Sequence, residues 1–228
     1  MSELFNKILY QPLFDILVFL YQYLGDLGVA IIVLTVLIRI VLFPLFYKGA
    51  KDQAIMQRLA PKVKEIQTNH KNNREEQAKA LMGLYREHRV NPLSGFLLIL
   101  VQLPILIALY QVFMKGLSVE AGFLELTFLG LIDLSKRSAV IVGLAAVAQY
   151  FQGKLSIIKS GKPFKDLTPI ERMGHQMVYL GPILTVIFLY FFNLPSAVGL
   201  YWLTTSLFSV IQQIIINKRL KLNGPTSS

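Results

Sequence analysis

Arg39 is the side chain in this sequence whose type and position open unusual chemistry. It stands near the middle of the apolar run 28–46, and an arginine at the centre of a membrane-crossing helix costs ~2.5–3.5 kcal/mol on insertion scales. Snorkelling to an interface is difficult from there, because both ends of the run are about a dozen ångströms away at ~1.5 Å per residue. A carboxylate partner inside the membrane is excluded, since no apolar block of the chain contains Asp or Glu. What remains is a hydrated guanidinium among neutral partners, a fixed positive charge able to attract anionic groups partway through the hydrocarbon.

Neutral partners are plentiful. Thr35 precedes Arg39 by one helical turn on the same face, Gln102 lies mid-block further on, and Gln149 and Gln152 share another apolar block. The last block carries Thr204, Thr205, Ser206, Ser209, Gln212 and Gln213. Hydrogen bonding between helices accounts for any one of these alone. Beside an arginine with no carboxylate, they imply a hydrophilic cavity bounded by several helices. Its candidate lining is Arg39, Thr35, Gln102, Gln149, Gln152, Thr205, Ser209 and Gln212.

Catalytic constellations are missing. His70, His88 and His175 fall in the charged segments between apolar blocks, so no Ser–His pair lies in the membrane. Glu171 and His175 are one turn apart, a spacing that suits a surface pair and is not a two-His metal motif. Ser94 follows Pro92 as a helix start, not as a nucleophile. With no cysteine and no nucleotide-binding loop, the sequence reads as a non-enzyme without cofactor or metal.

The elements that must position these residues follow from hydropathy. Of 228 residues 54% are hydrophobic and only 16% charged, well below the quarter usual in soluble domains. Spans are expected at 28–47, 92–114, 137–154, 176–193 and 194–217, and each must be helical because lipid offers backbone groups no partners. The fold class is an all-α polytopic membrane protein, five transmembrane helices around a hydrophilic groove. The segment 48–90 holds ten basic residues, 153–175 five and the tail three, out of 23 in all. The positive-inside rule therefore makes the hairpin 48–91, the loop 155–175 and the tail 218–228 cytoplasmic, and puts the N-terminus and the loop 115–136 outside.

Residues 1–27 lack the features of a signal peptide and read as an extracytoplasmic amphipathic helix lying in the interface, bent at Pro12, with a sixth span as the alternative. Within 48–91, Met56, Leu59, Val63 and Ile66 face Ala78, Leu81 and Tyr85 across the turn formers at 68–73, the pattern of a helical hairpin. Pro61 should kink its first helix or mark a restart.

Ordered along the chain, Thr35-Val36-Leu37-Ile38-Arg39 with Pro44, Leu59-Ala60-Pro61-Lys62, Asn91-Pro92-Leu93-Ser94-Gly95, Val101-Gln102-Leu103-Pro104-Ile105, Asp133-Leu134-Ser135 and Pro195-Ser196 through Gly199-Leu200-Tyr201-Trp202 make a specific set. The chain resembles the YidC/Oxa family of membrane protein insertases over nearly its whole length. The resemblance implies a groove open to cytoplasm and lipid, with Arg39 as its charge, and a substrate slide along the first and last spans past Pro195, Tyr201 and Trp202. It implies nascent membrane proteins as substrates in the bacterial inner membrane. Ribosome, Sec translocon or signal-recognition-particle pathway would be met through the hairpin and loops, and no specific nucleic acid sequence is called for. The short form, without a large periplasmic domain, is the expected variant. Asn193 departs from the family pattern, which has an aromatic residue before Pro-Ser.

Two rivals can be stated. An anion channel or transporter would use Arg39 as its site, but the internal repeats usual in transporters are not apparent. A nucleic-acid platform would use the basic hairpin, yet acids are interspersed there and only one aromatic residue is present.

Overall fold

The computed structural model describes residues 3–116, 125–157, 165, 167 and 169–220, so the loops 115–136 and 155–175 and the tail 218–228 lie partly outside the described residues. The chain is almost entirely helical there. A short α1 (Glu3–Phe5) runs through a π-helical turn at Asn6–Tyr10 into α2 (Gln11–Leu24). The wider turn ends just before Pro12, which has no N–H and would crowd the carbonyl four residues back, so the bend expected there takes the form of a π-turn. Gly25, at φ 72°, closes α2 in the left-handed conformation that glycine adopts without strain.

The next helix, α3 (Leu27–Val41), is capped by Asp26, which accepts from Val29 N at 2.8 Å. Within the span expected over 28–47, the helix breaks at Leu42. It restarts as α4 (Phe43–Asn69) with a 67° bend, Pro44 sitting in the opening turn. A proline is tolerated in a first helical turn but cannot continue the preceding ladder, which accounts for the break. Arg39 therefore occupies the last turn of α3 and not the middle of a continuous rod.

The expected helical hairpin is present. It joins α4 to α5 (Arg74–Glu87), whose cap Asn73 accepts from Glu75 N and Glu76 N. Leu59, Val63, Leu84 and Val90 form its seam, with Met56, Ile66, Leu81 and Tyr85 packed on them. No restart occurs at Pro61, because α4 is helical through it. Gln57 and Arg58, one turn before Pro61, anchor the hairpin base by donating to the carbonyls of Ser156 (3.0 Å) and Leu220 (2.9 Å).

The remaining helices are α6 (Ser94–Gly116), α7 (Ala139–Ser156), α8 (Pro169–Val186, extended by a π-turn at Ile187–Phe191) and α9 (Ser196–Arg219). Among the described residues, four stretches are long and apolar enough to cross a membrane: Glu3–Leu24, Ser94–Met114, Glu171–Phe191 and Ser196–Arg219. The bent pair α3–α4 makes a fifth if counted as one span. By this measure the N-terminal stretch is long enough to cross. Helix α7 is not among them, its last turns carrying Gln149, Gln152 and Lys154.

Two ends of the bundle differ. At one end a small hairpin pairs β1 (Thr127–Phe128) with β2 (Ile132–Asp133) in antiparallel register. There the opening N–H groups of α9, which have no partner within the helix, are satisfied from outside: Ser196 N donates to Lys136 O at 2.8 Å and Ala197 N to Leu134 O at 3.1 Å. Asp133 fixes that segment by accepting from Ser135 N at 3.0 Å and pairing with Lys136 Nζ at 2.8 Å. Lys136 and Ser135 together draw the Asp133 carboxyl down to about 2. Asn193 precedes this junction at φ 52°, a backbone region where Asn is among the least strained residues, which explains its place where an aromatic residue was expected. Leu27, Ile31, Leu34, Leu109, Phe113, Ile141, Ala145 and Val198 pack this half of the bundle into a closed apolar core. The half nearer the helical hairpin is not filled in this way.

Candidate functional site

In that half lies a cavity of about 410 Å3 bounded by α3, α4, α6, α7 and α9. Arg39 reaches it from the last turn of α3, where the partial negative charge of the helix C-terminus favours a cation. The side chain is buried, at 7% exposure, and its guanidinium centre lies 4.4 Å from the centroid of the Phe46 ring. The bend at Leu42 makes that contact, since it folds the opening turns of α4 back beside α3. Among the described residues no carboxylate pairs with Arg39, and no Asp or Glu lines the cavity. The cation is thus held by an aromatic face and helix carbonyl dipoles, contributions of about 0.5–2 kcal/mol each, and keeps its hydrogen-bonding donors for something else.

The polar wall is organised by three side-chain links between helices. Gln102 Nε2 of α6 donates to Tyr201 Oη of α9. On α7, Gln149 Oε1 accepts from Trp202 Nε1 at 3.1 Å and from the Thr185 hydroxyl of α8. Further along α9, Gln213 donates to Asn217 at 3.0 Å, and Asn217 in turn donates to the Leu155 carbonyl of α7 at 2.8 Å. Opposite stands an aliphatic wall of Leu98, Ile99, Leu103 and Leu106 from α6. The site is therefore amphipathic, with amides, hydroxyls and one buried cation facing hydrocarbon.

Most residues expected from sequence meet here: Arg39, Gln102, Gln149, Gln152, Thr205, Ser209, Gln212, Tyr201 and Trp202 all line the cavity. Two do not. Thr35 is buried in the helix contact and donates to the Ile31 carbonyl at 2.6 Å. Pro195 caps α9 at the β-hairpin end, away from the lining. Conversely, Phe46, Gln53, Ser156, Ser206 and Gln213 line the cavity without having been singled out as site residues. Ser206 and Gln213 were legible as part of the polar face of α9. Phe46 and Gln53 were not, because they lie beyond the bend. Among the described residues no group of His, Asp and Glu is placed to hold a metal.

Comparison with known proteins sets this geometry in context. A family model described as 60Kd inner membrane protein matches residues 19–223. The membrane protein insertase YidC of Geobacter sp. (strain M21) is 34% identical over 209 residues, 91% of this chain and 36% of the relative. That of Campylobacter jejuni is also 34% identical, over 211 residues, 91% of this chain and 37% of its own length. The chain thus spans a little over a third of the length of these relatives. A crystal structure of active YidC insertase with its first transmembrane domain resolved superposes with a TM-score of 0.64 at 27% identity, covering 92% of this chain and 46% of that one.

Proposed function

The chain belongs to the 60Kd inner membrane protein family, and from that membership we propose that it is a membrane protein insertase that moves short polar tails through the Arg39 cavity. The observation that carries this reading is a buried cation without a carboxylate, in a cavity closed by apolar packing toward the β-hairpin end. A nascent single-span protein must bring a polar tail across hydrocarbon. Amides, hydroxyls and a positive charge part of the way across lower that barrier, most for an acidic tail. The apolar segment that follows leaves past the aliphatic wall and Tyr201–Trp202 into lipid, where burial drives it without nucleotide hydrolysis. The hairpin end faces the cytoplasm and the N-terminus the outside, as the distribution of basic residues supports. The hairpin and its adjoining loops then receive the ribosome and the Sec or signal-recognition-particle machinery.

Complementation of an insertase-depleted bacterium tests this, following a single-span, acidic-tailed reporter by protease accessibility. Wild type restores insertion, Arg39→Lys keeps most of it and Arg39→Ala loses at least roughly tenfold, the worth of ~1.4 kcal/mol of charge stabilisation. A folded wild type that inserts nothing while liposomes carrying it pass anions would replace this reading with the transport one.

A further inference from the structure

A second cavity, of about 380 Å3, opens beside the first, between the base of α4, the end of α7 and the first half of α8. Gln53, Gln149, Gln152 and Ser156 line both, so the two are separated by side chains and not by backbone. Its other face differs in kind from anything in the first cavity: Met56 of α4 and Met173 and Met177 of α8 line it, the latter two 56% and 50% exposed. Thioether side chains are unbranched and polarizable, and they repack around apolar partners of many shapes. The helices make room for this face because α7 and α8 approach closely at Gly153, where a Cβ would lie 3.2 Å from the Val178 backbone. At the rim, one hydrogen bond from Gln57 to the Ser156 carbonyl joins α4 to α7.

Resting on the insertase reading above, we propose that this second cavity is a vestibule that holds the apolar segment of an arriving substrate while its polar tail enters the Arg39 cavity. Three observations select that occupant. The methionine face offers an apolar surface that does not dictate sequence, as a site for many different hydrophobic segments requires. Gln53 and Gln152 can each donate and accept, and Gln149, whose carbonyl oxygen is taken by Trp202 and Thr185, keeps its amide donors. These match the backbone N–H and C=O groups of a peptide not yet fully helical, and an acyl chain has no use for them. The shared wall of four polar residues places the exit of one cavity at the entrance of the other, the order in which a tail and the apolar segment behind it travel.

Photo-crosslinking decides the matter in membranes carrying the full chain. Benzoylphenylalanine replaces Met177 or, in separate variants, Met173, Ser209 of the first cavity, or Val147, which is exposed on α7 but lines neither cavity. The probe is a ribosome-stalled, single-span reporter with an acidic tail, made at graded lengths, and only variants that still complement are scored. The vestibule predicts adducts from Met177 and Met173 to the apolar segment, several-fold above Val147, at chain lengths where Ser209 meets the tail. Adducts at Ser209 with both methionine positions at the Val147 level would overturn the vestibule and leave the groove reading intact. Adducts at Met177 and Met173 to phospholipid alone would also overturn it, making the cavity a lipid crevice. No adduct at any of the three cavity positions would contradict the groove reading itself.

Discussion

Arg39 and Trp202 line the same cavity, and each reports on it in a different way. Trp202 is the single tryptophan of the chain, and its indole N–H is held by Gln149, which also accepts from Thr185. Gln149→Leu leaves that N–H unpaired in a half-buried site, a loss of about 1–3 kcal/mol. Thermal unfolding in detergent should show it as a lowered Tm, together with a shifted tryptophan emission maximum, whereas Gln152→Leu, one turn along and outside that link, should leave the emission unmoved. The polar side chains themselves were legible in the sequence because glutamines and threonines are conspicuous among apolar residues. Thr35 misled for the same reason. A threonine in a helix can satisfy its hydroxyl on its own backbone, as Thr35 does on Ile31, and residue type cannot distinguish that from a hydroxyl facing a cavity.

Helix contacts set the next scale, and small side chains decide them. A Cβ at Gly199 would lie 2.8 Å from Ile141 Cγ2, so Gly199→Val must force α9 away from α7. Overpacking of this kind costs about 1–3 kcal/mol, and a fall in Tm without loss of helical circular dichroism is the expected result. The hairpin is fastened to the bundle by Gln57 and Arg58. Replacing both by Ala should speed hydrogen exchange and proteolysis in α5 while exchange in α7 and α9 stays as in wild type. At the opposite end, the folded Asp133 carboxyl titrates near 2, below its unfolded value of ~3.9. Its contribution is therefore present above pH ~4 and fades as the pH falls toward 2. Because the pair with Lys136 is exposed, the Tm difference between wild type and Asp133→Asn should be small at pH 7 and smaller still at pH 3. The turn of the helical hairpin and the start of the last helix were readable from the turn formers at 68–73 and from Pro195-Ser196. The break at Leu42 was not, since Pro44 in an apolar run is compatible with a kinked span as well as with two helices.

Across the whole molecule the division of labour runs along the helix axes. Core-forming residues of α3, α6, α7 and α9 lie toward the β-hairpin, and cavity-forming residues of the same helices lie toward the helical hairpin. Hydropathy alone could count apolar blocks and sort charges by side, but it averages along a helix and cannot say which half is filled. The polar residues of α9 were visible; the closed end opposite them became visible only with the packing of Leu27, Ile31, Leu109, Phe113 and Ile141. In the proposed reading Arg39 is the charge that an entering tail meets at the closed end of the cavity, and this is the claim on which that function turns. Its most direct test compares insertion of otherwise identical single-span reporters whose tails carry aspartate, asparagine or lysine, in cells dependent on wild type or on Arg39→Gln. With wild type the aspartate tail should insert best and the lysine tail worst; with Arg39→Gln, expressed at the same level, the advantage of aspartate over asparagine should vanish. An unchanged order of the three tails in the variant would contradict a role for the Arg39 charge in moving them.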